Sequence, residues 1–126
     1  MPRTRVVFFQ ESDGRAPVRE WLRSLREVDA RAHARCVARI ARLAELGHEL
    51  RRPEADYLRD GLYELRARKG RVNYRVLYFF LGRGTAVLAH AITKEGAISE
   101  SDLSRADRRR VLVENDPQAH ILEEQP

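Results

Sequence analysis

Two arginines on neighbouring apolar runs are the side chains best placed to do chemistry in this sequence. Asp60-Gly61-Leu62-Tyr63-Glu64-Leu65-Arg66 and Tyr74-Arg75-Val76-Leu77-Tyr78-Phe79-Phe80 read as two strands, reversed through Ala67-Arg68-Lys69-Gly70-Arg71. Gly70 can supply the positive φ of a tight reversal, and the flanking runs are rich in β-branched and aromatic residues. Strand side chains alternate, so Glu64, Arg66 and Arg68 share one face. The second run, Val72 to Leu81, is apolar except at Asn73 and Arg75. A strand that apolar is normally covered on both faces, and a guanidinium in its middle is costly unless it is paired or opens into a groove. The hairpin brings Arg66 and Arg75 within reach of one surface. Arg75 can pair with Glu64 and fix the register of the sheet, or the two arginines can hold a phosphate. Both uses remain open at this point.

The rest of the composition bears on that choice. A chain of 126 residues fits one domain with a modest core. With 43% hydrophobic and 34% charged residues it reads as a soluble globular protein and not a disordered one. The net charge of +5 is carried mainly by arginine, whose planar fork makes bidentate contacts to phosphate, so the surplus fits a nucleic-acid partner. The single Cys36 excludes an internal disulfide and a cysteine-based zinc site, and no cofactor or metal is expected. Met1-Pro2-Arg3-Thr4-Arg5 leads into only four apolar residues, too few for a signal peptide, and no stretch is long enough to span a membrane. These features predict a cytoplasmic protein.

The elements that would position the arginines follow in order. Val6-Val7-Phe8-Phe9 is a first strand. Ser12-Asp13-Gly14 offers cap residues for a helix with Pro17 in its first turn, and Val18, Trp21, Leu22, Leu25 and Val28 form its apolar stripe. Trp21 belongs to that stripe and reads as a core anchor. A second helix runs from about Asp29 to Leu46 and stops at Gly47. It buries Cys36 or Val37, Ile40, Leu43 and Ala44, and sets Arg31, Arg35, Arg39 and Arg42 in a basic stripe. That stripe reads as a solvated face or as a landing strip for phosphates or an acidic partner. His48 to Arg59 is expected to be a loop. After the hairpin, Gly82-Arg83-Gly84 turns into a third long strand, Thr85 to Lys94, and Ser99 with Asp102 forms a capping box for a last helix. The expected fold is α+β, a small, mainly antiparallel twisted sheet packed on two helices in the order β-α-α-β-β-β-α. Residues 1–113 would form the domain and 114–126 a polar, loose tail.

With that order in place, the chain resembles the RelE/ParE superfamily of toxins, and within it the HigB-like, phage Gp49-like branch. The resemblance rests on Asp60 to Arg66, on Tyr74 to Tyr78, and on His90-Ala91-Ile92-Thr93-Lys94, and it covers about residues 4 to 112. It implies a ribosome-dependent, metal-independent mRNA endoribonuclease that cuts by in-line attack of a ribose 2′-OH on the adjacent phosphate. It also implies a helix-turn-helix antitoxin as partner, with operator DNA reached through that complex. By family position Arg66, Arg75 and Lys94 would be catalytic. The arginines would hold the scissile phosphate, where fixed cations stabilise the developing charge better than water does. Lys94 would neutralise charge or help with proton transfer.

Arg68, Lys69, Tyr78 and His90 are the candidates for substrate contacts, with Tyr63 as a further nearby hydroxyl. His90 has the right chemistry for a proton carrier but reads first as a core imidazole. His33, His48 and His120 show no metal-ligand spacing. Glu95 departs from the family pattern, standing where relatives commonly carry a second basic residue, and a carboxylate there repels phosphate unless it turns away or pairs. The alternative is a catalytically weakened homologue that keeps the fold to bind antitoxin and regulate.

Overall fold

A computed structural model describes residues 3–94 and 97–124, with Lys94 described by its backbone alone. The elements are β1 (Arg5–Phe9), α1 (Pro17–Val28), α2 (Ala30–Leu46), a 3-10 turn (Gly47–Glu49), β2 (Ala55–Arg59), β3 (Leu62–Lys69), β4 (Val72–Leu81), β5 (Thr85–Lys94), α3 (Glu100–Asn115), α4 (Pro117–His120) and β6 (Ile121–Leu122). They build one six-stranded sheet in the order β2-β3-β4-β5-β1-β6. Among the described strands only the β1–β5 pair is parallel: the two helices carry the chain over one face to the edge strand β2, and the antiparallel run β2-β3-β4-β5 brings it back alongside β1. The fold class is the expected α+β.

Strand alternation divides the core into two layers. Phe8, Leu65, Val76, Tyr78 and Leu88 turn to the face covered by α1 and α2 and meet Val18, Leu22, Cys36, Ile40 and Leu43. Val7, Phe9, Leu77, Phe79 and Val87 turn to the other face, under Ala106 and Val113 of α3. Phe8, Phe9, Leu43 and Leu77 are fully buried, and each such side chain contributes about 1.5–3 kcal/mol. Trp21 packs edge-on against Tyr74 at 6.2 Å between ring centroids, as a core anchor does. The thiol of Cys36 is pushed up to about 12 by burial, so it remains protonated and unreactive.

The helix ends follow local rules. Asp29 caps α2 by accepting from the Ala32 N–H at 3.1 Å, and Gly47 ends it at φ 53°. Ser99 and Asp102 form the expected capping box of α3. The cap expected for α1 is different. Asp13 bonds the backbone and side chain of Arg15 instead, and Ala16 stands at the N-cap with Pro17 directly after it. Pro17 lacks an N–H, so the first turn has one unpartnered donor fewer.

Three further differences concern element order. Residues 55–59, expected within a loop, form the edge strand β2. Ala55 is buried, Asp56 and Leu58 are partly covered and Tyr57 and Arg59 are exposed, and an edge strand needs no continuous apolar run. The reversal between β3 and β4 takes only Gly70 and Arg71, so Arg68 and Lys69 are strand residues rather than turn residues. The segment after Asn115, expected as a polar tail, carries α4 and β6, and β6 pairs with β1 through Phe8–Leu122 and Phe9–Ile121.

Candidate functional site

The two arginines sit directly opposite each other. Arg66 pairs with Arg75 across β3 and β4, and Arg75 faces Ile92 on β5. Alternation puts Glu64, Arg66 and Arg68 of β3, and Asn73, Arg75 and Leu77 of β4, on the α3 side of the sheet. The apolar cover of α3 extends over Leu77 and Phe79. Beyond it the same face turns polar, toward the hairpin. Arg75 keeps 20% of its side-chain surface and Arg66 41%, so both reach solvent from a rigid strand.

Carboxylates brace both groups. Glu64 is 1% exposed; one of its oxygens accepts from Arg66 Nε and the other lies 3.7 Å from Arg75 Nη1. Arg66 Nη2 also donates to Asp56 on β2 at 3.3 Å, and Asp56 is held at 2.8 Å by Arg52. The hydrogen bond from Arg52 is the main reason the Asp56 carboxyl is held below its ordinary range. The chain Arg52–Asp56–Arg66–Glu64–Arg75 thus carries three cations against two anions. The register-fixing pair of Arg75 with Glu64 is present, and the net charge of the face is still positive. Asp56 was not legible as part of this group, because it belongs to the strand that the sequence presents as a loop.

The other candidates fall in different places. Arg68 shares the face and is exposed, its Nε donating to the Gly70 carbonyl at 2.8 Å. Lys69 has the opposite parity and bonds Asp29 at the start of α2, on the other side of the sheet. Tyr78 is on that helix side too, 1% exposed and stacked on Tyr63 at 5.4 Å, and burial pushes its phenol above the usual range. The sequence placed Lys69 in the turn, where parity does not apply; the two-residue reversal fixes its side. Lys94 closes β5 opposite Asn73; its side chain, like Glu95 and Gly96, lies outside the described residues.

His90 is on the α3 face but engaged on both nitrogens. Arg109 Nη1 lies 3.3 Å from Nδ1, and an arginine can only donate, so Nδ1 accepts and Nε2–H donates to Asp102 at 2.9 Å. Burial is the first cause holding this imidazole below its ordinary value, partly offset by Asp102. The neutral ring ties β5 to α3.

The basic stripe of α2 also has a structural use. Arg39 Nε donates to the Arg66 carbonyl at 2.9 Å and Arg35 Nη1 to the Arg68 carbonyl at 2.7 Å, where β2 no longer covers the edge of β3. Arg42 pairs with Glu54 at 3.0 Å. Among the described residues no group of three or more His, Cys, Asp or Glu could hold a metal ion, and no helix is long and apolar enough to cross a membrane.

An open α+β sheet with helices on both faces and a paired-arginine surface beside its hairpin is the architecture expected of a RelE/ParE-like toxin. The family described as phage derived protein Gp49-like (DUF891) matches residues 22–111, and the chain belongs to this RelE/ParE-like toxin family. Membership fits a toxin of a toxin–antitoxin system, with an antitoxin as its partner. No curated protein matches the chain.

Proposed function

We propose that the protein is an mRNA endoribonuclease toxin that acts on the ribosome and needs no metal. One observation carries the reading: Arg66 and Arg75 stand opposite each other on rigid strands, braced through Glu64 and partly open to solvent. Two guanidiniums fixed in this way match the non-bridging oxygens of one phosphodiester. In the reaction the ribose 2′-oxygen forms a bond to phosphorus as the bond to the 5′-oxygen breaks. The 2′ proton leaves the nucleophile and a proton reaches the departing 5′-oxygen. Negative charge grows on the phosphoryl oxygens during this exchange, and cations that need no reorganisation lower its energy. Arg68 holds a flanking phosphate, and Lys94 neutralises charge or passes a proton at the strand end. Lys69, Tyr78 and His90 act through the fold, each engaged away from the arginine pair.

A second reading, a weakened homologue that binds antitoxin and regulates through operator DNA, is favoured by the same carboxylates. Glu64 and Asp56 already occupy donors that a phosphate would need. Induced expression separates the two. The intact chain is expected to arrest growth and to create new 5′ ends on translated messages, and Arg75→Ala to do neither. Unchanged growth and intact messages on expression of the wild-type chain would favour the binding role.

A further inference from the structure

The strongest unassigned feature is a cup at the rim of β2, with Tyr57, Tyr63 and His48 on the α1/α2 side of the sheet and Asp56 reaching round the edge to the arginine side. It encloses about 540 Å³ and is lined by His48, Arg51, Arg52, Asp56, Tyr57 and Tyr63 among others. Its aromatic members are connected. His48 stacks on Phe80 with 3.6 Å between centroids, Phe80 meets Tyr63 at 5.3 Å, and Tyr63 meets Tyr57 edge-on at 5.1 Å. Yet Tyr57 is 53% exposed, and His48 is exposed as well. About half of the Tyr57 ring is left to solvent, at an edge where a polar residue would be cheaper. Two guanidiniums, Arg51 and Arg52, stand against one carboxylate in the lining, so the cup is net positive. Asp56 does not repel an anion strongly there, because Arg52 at 2.8 Å and Arg66 at 3.3 Å already neutralise it.

Flat rings with arginines at their edge are the surface on which single-stranded nucleic acid is held, base on ring and phosphate on guanidinium. Asp56 also fixes the position of the cup. The carboxylate that holds Arg52 is the one that holds Arg66, so the cup begins one side chain away from the proposed phosphate site. We propose that this cup binds a nucleotide of single-stranded RNA next to the one held at Arg66 and Arg75. The RNA strand crosses the sheet edge at β2, so that its base stacks on Tyr57 and His48 on the helix side while its phosphate pairs with Arg52 beside Asp56. The proposal rests on the reading of the arginine face as an RNA site, and it adds a stacking platform that contributes affinity and places the scissile phosphate.

The test is a binding titration, independent of cleavage. A short labelled oligoribonucleotide carrying 2′-O-methyl groups, which cannot undergo in-line attack, is titrated with protein by fluorescence anisotropy. An abasic oligomer of the same length supplies the same phosphates without bases. Tyr57→Ala is expected to weaken binding of the base-containing oligomer about tenfold, Tyr57→Phe to bind like the wild type, and Tyr57→Ala to make no difference with the abasic oligomer. Tyr57 is half exposed, so circular dichroism should report a folded variant in each case.

Equal binding by wild type and Tyr57→Ala, while Arg66→Ala weakens it, overturns the cup and leaves the arginine face standing. Equal loss on both oligomers also overturns it, since the contact is then not with a base and points to another kind of partner. If the wild type fails to bind, or neither Tyr57→Ala nor Arg66→Ala changes binding, the cup is overturned, and the RNA reading is decided by the induced-expression test.

Discussion

At Glu64 an almost fully buried carboxylate lies between two guanidiniums, with one oxygen on Arg66 and the other 3.7 Å from Arg75. Removing one partner of a buried ion pair costs about 3–5 kcal/mol when the charge left behind has no water. Here Arg66 keeps 41% of its surface and Asp56 as a second acceptor, so it recovers solvation. Glu64→Gln, which preserves volume, should therefore cost about 2 kcal/mol by urea denaturation, below the range for a sealed pair. A loss near 4 kcal/mol would mean that water cannot reach the arginines. His90 gives a pH signature at the same scale. Burial pushes its folded value below the ordinary 6.5, so the unfolded chain takes up this proton first as pH falls. The stability carried by the neutral ring is therefore complete above about pH 6.5 and is lost as pH falls through the folded value. Protonation would also set a second N–H against Arg109, which packs 3.3 Å from Nδ1. His33 is displaced in the same direction by burial, whereas the displaced carboxylates of Asp13, Asp29, Asp56, Glu100 and Glu124 titrate below their ordinary 3.8 or 4.5. Urea stability should thus decline between about pH 7 and about pH 5, and His90→Gln should flatten that decline more than His33→Gln does.

Among the elements, Gly47 shows how closely the end of α2 meets Thr4, the residue that leads into β1. Its φ is 53°, and a Cβ there would lie 2.2 Å from the Thr4 hydroxyl. Gly47→Ala combines an unfavourable backbone with a clash and should cost about 1–3 kcal/mol in a denaturant titration. Thr4→Ala, which removes the hydroxyl, should recover part of that cost in the double variant. This helix end was legible in the sequence because glycine is the residue that commonly follows a helix, and the Ser99–Asp102 box was legible for the same kind of local reason. The meeting of Arg66 with Arg75 was legible from alternation together with the short reversal at Gly70. What escaped the sequence depends on partners distant along the chain. β2 is an edge strand with mixed side chains, and its pairing with β3 is what brings Asp56 to Arg66. Lys69 is a strand residue held to the helix side because the reversal is only two residues long. The arginines of α2 look like a solvated stripe until the uncovered carbonyls of β3 are seen opposite Arg35 and Arg39.

For the molecule as a whole, the sheet is closed at its far edge by the last residues of the chain. Phe9 is 0% exposed, with the His120 ring stacked at 5.7 Å and the Arg109 guanidinium 5.4 Å from the ring centroid. The Gln10 N–H donates to the His120 carbonyl at 2.9 Å, His120 Nδ1 meets the Gln10 carbonyl at 2.9 Å, and Arg19 pairs with Glu124 at 2.6 Å. Both β1 and β6 lie outside the family-matched span of residues 22–111, and they pair with each other. The folded unit is therefore proposed to extend through residue 124 and not to stop at the end of α3. A chain truncated after Asn115 loses β6, the His120 ring over Phe9 and the Arg19 pair together, and should lose about 2–4 kcal/mol, or about 10 °C in Tm by calorimetry. The arginine face lies at the opposite end of the sheet order, on β3 and β4, so below its lowered Tm the truncated protein should bind the 2′-O-methyl oligomer with unchanged affinity. An unchanged Tm would show that the last residues are a separate tail. A lowered Tm with weakened binding at low temperature would show that they act on the arginine face through the sheet.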